Sequence, residues 1–122
     1  MNLAVLTGRL SRPAEHRTLP SGDPVAYLDV TVAGPGGKHE TVNVAVYSPP
    51  ASTLSLDEGD EVIVVGRVRR RFYRSGVRLE GRTEVVAEGV ARPRQARKAA
   101  SLLERAREVL DEAESLAPAA RR

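Results

Sequence analysis

Two long alternating runs, residues 61–73 and 77–90, are separated by little more than a turn-forming Ser75-Gly76 pair, and nothing else in the chain limits its fold as tightly. They read as an antiparallel hairpin. With Ser75 and Gly76 as the loop, Arg74 stands opposite Val77, Tyr73 opposite Arg78 and Phe72 opposite Leu79. That register puts Val64, Val68, Phe72, Leu79, Val85 and Ala87 on one face, which parity assigns to a core. The other face carries Arg67, Arg69, Arg71, Tyr73, Arg78 and Arg82. Arg71 then meets Glu80 and Arg67 meets Glu84, cross-strand ion pairs of roughly 0.2–1 kcal/mol each, which leaves Arg69, Arg78 and Arg82 without partners.

Three further strands precede the hairpin. Residues 2–11 form a first strand with room for a bend at Gly8. In residues 25–32, Ala26, Leu28, Val30 and Val32 alternate with Tyr27, Asp29 and Thr31; in 41–47, Val42, Val44 and Val46 alternate with Thr41, Asn43, Ala45 and Tyr47. The Gly34-Pro35-Gly36-Gly37 turn joins these two, Pro49 and Pro50 end the second, and residues 51–56 suffice for one short helix. After Pro93, Ala99, Leu103, Ala106, Leu110, Ala113 and Ala117 recur at intervals of four and three, with Leu102, Val109 and Leu116 beside them. This is an amphipathic helix over about 94–116. The reading is an all-β barrel of five strands over residues 1–91, with a short helix between strands three and four, and a C-terminal helix with a basic tail over 92–122.

At 122 residues the chain is one small domain with an appendage. Zero cysteines exclude a disulfide scaffold, a thiolate metal site and a thiol nucleophile, and suit a reducing cytoplasm. No apolar run approaches a membrane span, and the Met1-Asn2-Leu3-Ala4 start lacks a basic region before a hydrophobic stretch, so neither export nor membrane insertion is expected. His16 and His39 lie in separate segments without ligand spacing, the acidic residues at 57–61 lack the alternation of a calcium loop, and no glycine-rich phosphate loop occurs. The expectation is a binding protein with no catalytic residues, metal or cofactor.

Charge points to what it binds. Residues 1–91 hold 11 basic and 11 acidic side chains, whereas 92–122 hold 8 and 5. The barrel is therefore neutral yet polarised, because seven arginines and a single acid, Glu80, lie between Arg67 and Arg82. A local basic stripe suits a polyanion. Tyr73 shares its face, and Tyr47 lies on the side of its strand away from the valines. Guanidinium groups attract phosphates and flat rings stack on unpaired bases, a combination suited to single strands. Pattern alone leaves a second role open for both tyrosines, as caps on the barrel.

The stretch LTGRLSRPAEHRTLPSGDPVAYLDVTV, the GRVRRRFY segment and the TEVVAEGV segment resemble the bacterial single-stranded DNA-binding protein family, in order and spacing, over about residues 1–90. Gly8, Leu10, Glu15, Arg17, Pro20, Ser21, Gly22, Gly66, Arg67, Arg69, Thr83, Glu84 and Val85 carry the likeness. The resemblance implies an oligonucleotide/oligosaccharide-binding fold, the five-stranded Greek-key barrel. It matches Tyr73 to a family tryptophan on which bases stack and Tyr47 to a stacking phenylalanine. Two other family tryptophans have no counterpart: Thr41 stands at one position, and a short 33–38 turn replaces the hairpin bearing the other. The family's acidic, apolar tip is missing as well, and the chain ends Ala119-Ala120-Arg121-Arg122.

The expected function is sequence-tolerant binding of single-stranded DNA in replication, recombination or repair, by a cytoplasmic, nucleoid-associated protein. Phosphates would meet Arg69, Arg78 and Arg82, assisted by Arg67 and Arg71, and bases would stack on Tyr73 and Tyr47. The resemblance implies a homo-oligomer, dimer or tetramer. The 94–116 helix would pack on its own barrel, a second copy or a partner protein. The alternatives are an adaptor barrel in a replication or repair assembly and an RNA-binding barrel.

Overall fold

The computed structural model describes residues 1–116. Its strands are β1 (Ala4–Leu10), β2 (Glu15–Thr18), β3 (Pro24–Ala33), β4 (His39–Tyr47), β5 (Glu61–Ser75) and β6 (Arg78–Ala91). A 3-10 turn, Pro35–Gly37, joins β3 to β4; α1 (Ala51–Leu54) sits between β4 and β5, and α2 (Ala96–Leu116) follows β6. The strands run in the order β1-β5-β6-β4-β3-β2, and a second pairing of β1 with β3 closes the barrel. All pairs are antiparallel except β4 with β6. Among the described residues no helix is long and apolar enough to cross a membrane.

Five long strands and both helices thus stand where the alternation puts them, and the sixth strand is an addition. β2 pairs with residues 24–27 of β3, and the end of β1 pairs with residues 30 and 31 of the same edge. β1 pairs with β5 as far as Arg9 and with β3 from Arg9 onward, and at Gly8, just before the changeover, a β-carbon would lie 2.2 Å from the Thr31 carbonyl oxygen. Only glycine fits that approach.

The inward-facing residues form one core: Leu10, Ala26, Leu28, Val30, Val44, Val46, Val62, Val64, Val85 and Val90, with Leu56 below α1. The largest fully buried side chains are Leu10, Leu28, Val25, Val30, Val44, Val62, Val64 and Val65. They are all aliphatic, so the barrel is closed by branched side chains with almost no aromatic help.

The hairpin register differs from expectation by two residues. Gly76 and Val77 form the turn, Ser75 faces Arg78, and Gly76 has φ 64°. Positive φ at the first central position is what a type II′ turn asks for, and glycine supplies it there without strain. A shift of two preserves the faces, so the arginine stripe survives, but it reassigns every partner. Glu80 faces Tyr73 and not Arg71; Glu84 faces Arg69 and not Arg67. The core assignment is corrected too. The hairpin runs past the end of the barrel, and Val68, Phe72 and Leu79 are 45 %, 60 % and 66 % exposed.

α2 lies on its own barrel. Ala99 and Ala106 are buried, and Leu102, Val109 and Ala113 are half-buried along the same stripe. Gly89 of β6 faces Leu102 so closely that a β-carbon there would stand 2.3 Å from a Leu102 methyl. Its ladder partner Val65 is wholly buried. Leu103 and Leu110, expected on the packed face, are instead exposed at its margin. Ala117 and the basic Arg121-Arg122 end lie outside the described residues.

Candidate nucleic-acid interface

The outward face of β5 beyond Arg67 is built around one acid. Glu84 is 3 % exposed, and Arg69 faces it directly across the ladder, donating from Nη2 to Glu84 Oε2 at 2.6 Å. Arg71, two residues on and therefore on the same face, brings Nε to 3.7 Å from Glu84 Oε1. A carboxylate can be this buried because two guanidinium groups neutralise it.

Each guanidinium also carries a ring. Arg69 Nη2 donates to the Tyr47 hydroxyl, and its guanidinium carbon is 5.2 Å from the Tyr47 ring centre. Arg71 Nη1 donates to the Tyr27 hydroxyl at 2.7 Å, with its guanidinium 5.4 Å from the Tyr27 ring and 5.9 Å from the Tyr73 ring. Arg17 of β2 lies 5.6 Å from Tyr27, held by Glu15 at 2.8 Å. Tyr73 donates to Glu80 at 3.1 Å. These separations are those of cation–π contacts. The Tyr47 hydrogen bond, with Glu84 in support, holds the Arg69 guanidinium above the ordinary arginine value against the cost of burial. Arg17 is likewise raised, by its hydrogen bond and charge contact with Glu15.

The local charge is not balanced. Arg71 faces Arg82 across the strands, and Arg82 makes no ion pair among the described residues. Like charges directly opposite repel. Both line an open groove of about 300 Å³ with Tyr27, Asn43 and Glu84 and with the paired Arg12–Asp29 and Arg17–Glu15. Asn43 Oδ1, Arg69 Nε and Arg71 Nε are buried without hydrogen-bond partners.

Of the seven residues expected at the site, Tyr47, Tyr73, Arg69, Arg71 and Arg82 share this face. Arg78 is exposed at the hairpin tip opposite Ser75. Arg67 is exposed where the stripe meets α2, lining a separate recess with Asn2, Leu3, Val86 and Val109. Arg69 has partners after all, whereas Arg67 makes no ion pair among the described residues. Three contributors lie outside those seven: Tyr27, which the sequence offers only as a weaker stacking candidate, Arg17 and Glu84. Tyr27 was legible by parity, since it alternates with Ala26 and Leu28. The roles of Arg17 and Glu84 depend on β2 and on the shifted register.

Among the described residues, no group of three or more His, Asp or Glu side chains is placed to hold a metal ion. No family model matches the chain. It is 32 % identical over 99 residues to the single-stranded DNA-binding protein of Oceanobacillus iheyensis, the match covering 75 % of this chain and 60 % of that protein. The chain therefore spans about three-fifths of that relative's length. In fold it is similar to the crystal structure of wild-type single-stranded DNA binding protein from Thermus aquaticus, with a TM-score of 0.62 and 24 % identity over 76 % of this chain and 40 % of that one. The likeness in fold and the expected oligonucleotide/oligosaccharide-binding barrel agree.

Proposed function

We propose that this chain, a relative of the single-stranded DNA-binding proteins, binds single-stranded DNA without sequence preference and without catalysing a reaction. The observation that carries the reading is the alternation of rings and guanidinium groups on one outward face: Tyr47 with Arg69, then Arg71 between Tyr27 and Tyr73. Bases stack on the tyrosine rings, a contact available to any base. Phosphates meet Arg82 and Arg78, which have no carboxylate partner among the described residues, with Arg67 extending the path toward α2. Arg69 and Arg71 are held by Glu84 and serve mainly to orient the rings. Replication, recombination or repair is the setting such binding fits, in a cytoplasmic protein associated with the nucleoid.

One observation favours the adaptor reading. Val68, Phe72 and Leu79 form an exposed apolar strip on the back of the hairpin, away from the tyrosines. Exposed apolar side chains grouped on one face suit a protein partner.

The test is a titration with fluorescent oligonucleotides of one length: single-stranded DNA, duplex DNA and single-stranded RNA, each at two salt concentrations. Single-stranded DNA should bind more tightly than duplex, with log K falling by about 0.7 per phosphate contacted for each decade of salt. Equal affinity for duplex removes the stacking mechanism, preference for RNA moves the substrate, and no binding leaves the adaptor reading.

A further inference from the structure

We infer that α2 pairs antiparallel with α2 of a second copy of this chain, through a stripe that its own barrel leaves uncovered. The docked stripe is Ala99, Leu102, Ala106, Val109 and Ala113. Beside it, Ala96, Ala100, Leu103, Arg107, Leu110 and Glu114 also recur at four and three, and every one is exposed. Leu103 and Leu110, at 46 % and 44 % exposure, are the large apolar members. A four-three repeat is the pattern of helix-to-helix seams, and the alanines allow close approach.

Charge selects the occupant and its direction. The approach to α2 and its first turn carry Arg92, Arg94, Arg97 and Lys98 with no acid, whereas residues 104–114 carry Glu104, Glu108, Asp111, Glu112 and Glu114 against Arg105 and Arg107. There is no acidic residue in the first turn and no basic residue in the last. This opposes the helix dipole, which favours acids at the N-terminus and bases at the C-terminus. Among the described residues, the basic side chains here that find polar partners on the barrel side are Arg92, at Asp60 and Ser55, Lys98, at Ser52, and Arg105, at Glu88. A second α2 running the other way sets each basic end beside an acidic one; a parallel copy sets like against like. With Leu103 over Leu110 of the second copy, Arg97 comes within a turn of its Glu114, and Glu104 within a turn of its Arg107. Arg107 itself is already held by Asp111 at 3.4 Å, so the two Arg107 side chains near the symmetry axis each have acids from both helices. A foreign helix would have to reproduce this distribution, and α2 does so by symmetry. The inference concerns protein–protein contact and does not depend on the DNA-binding reading.

The chain has no cysteine, so engineered thiols report directly. Leu103→Cys and Leu110→Cys are prepared separately in the full chain, and each is oxidised alone and in an equimolar mixture at micromolar concentration. Both positions are at the surface, and helical circular dichroism checks that α2 is retained. Facing positions in an antiparallel pair come within disulfide reach, whereas Leu103 and its symmetry mate are offset by about 10 Å along the axis, beyond it. The mixture should give a covalent dimer made of one chain of each kind, and neither variant alone should do so. Arg97→Glu should reduce that yield several-fold, and adding Glu114→Arg to both chains should restore it. Dimers from Leu103→Cys alone would mean parallel pairing and overturn the inference. No dimer in the mixture, with α2 intact, would overturn it too and leave the stripe to another partner.

Discussion

Glu84 and Arg69 face one another across the β5–β6 ladder, and the carboxylate that results is buried between two arginines while each arginine holds a tyrosine. Glu84 therefore positions rings that it does not touch. Its substitution reads out the whole network. Glu84→Gln keeps the shape and removes the charge, so the variant should lose about 1–3 kcal/mol of stability in urea denaturation. With Arg69 and Arg71 released toward phosphates, the salt dependence of single-stranded DNA binding should become steeper. Unchanged stability would show that the pairing does not hold the face together.

The rings and the charges should separate experimentally. Tyr47→Ala and Tyr73→Ala should each weaken single-stranded DNA binding by roughly 1–3 kcal/mol while the salt slope stays nearly constant, because a stacked base contributes no counterion release. Tyr73→Phe keeps the ring and loses only the hydrogen bond to Glu80, and it should bind close to the parent protein. Titrations at several salt concentrations supply both numbers. A change in slope without a change in affinity at high salt would assign these residues to phosphate contact.

For the arginines the shifted register exchanges the expected roles of Arg69 and Arg67, since Glu84 pairs with Arg69, and leaves Arg78 and Arg82 as the sequence suggests. Arg82→Ala and Arg78→Ala should each lower the salt slope by about 0.7, since these groups have no ion-pair partner among the described residues. Arg69→Ala leaves Glu84 with Arg71 alone, and its main effect should be on stability. Comparing urea midpoints with salt slopes for the three variants checks the division. If Arg69→Ala lowers the slope and leaves the midpoint unchanged, the arginine is a phosphate contact and not a scaffold.

Alternation settled most of the barrel because side-chain parity is local: Tyr27, Tyr47 and Tyr73 could each be set outside from their immediate neighbours. Register is not local. The difference between a Ser75-Gly76 and a Gly76-Val77 turn changes no face, so the parity test that supported the first could not reject the second. That ambiguity hid the Arg69–Glu84 pair. β2 was missed for a different reason: its four residues, Glu15–Thr18, are all polar, and they pair by backbone along an edge of β3 with no apolar face to announce them. On α2, two adjacent four-three stripes share the alanines' side of the helix, and only the close fit of Leu102 over Gly89 decides which one docks.

The reach of the hairpin beyond the barrel has its own measurable consequence. Phe72→Ala at a core position would cost about 3–5 kcal/mol. At 60 % exposure, with Arg70 5.6 Å from its ring as the nearest cation, it should cost no more than about 0.5 kcal/mol. Equilibrium urea denaturation measures it. A loss of several kcal/mol would mean that this strip is covered in solution, and sedimentation would then show by what.

The docking of α2 can be tested from its buried side. Ala106 is 5 % exposed, so Ala106→Glu forces a carboxylate against the barrel, where burying an unpaired charge is costly. The helix should respond by leaving the surface. Once detached, a 21-residue helix whose end charges oppose its dipole is marginal in water, so helical circular dichroism should fall while the barrel, whose core contains no α2 residue, keeps its cooperative transition. Leu102→Ala should act in the same direction more weakly, because the half-buried methyl groups over Gly89 are removed without adding charge. Loss of the barrel's own transition in Ala106→Glu would show that α2 is part of the fold's cooperative unit.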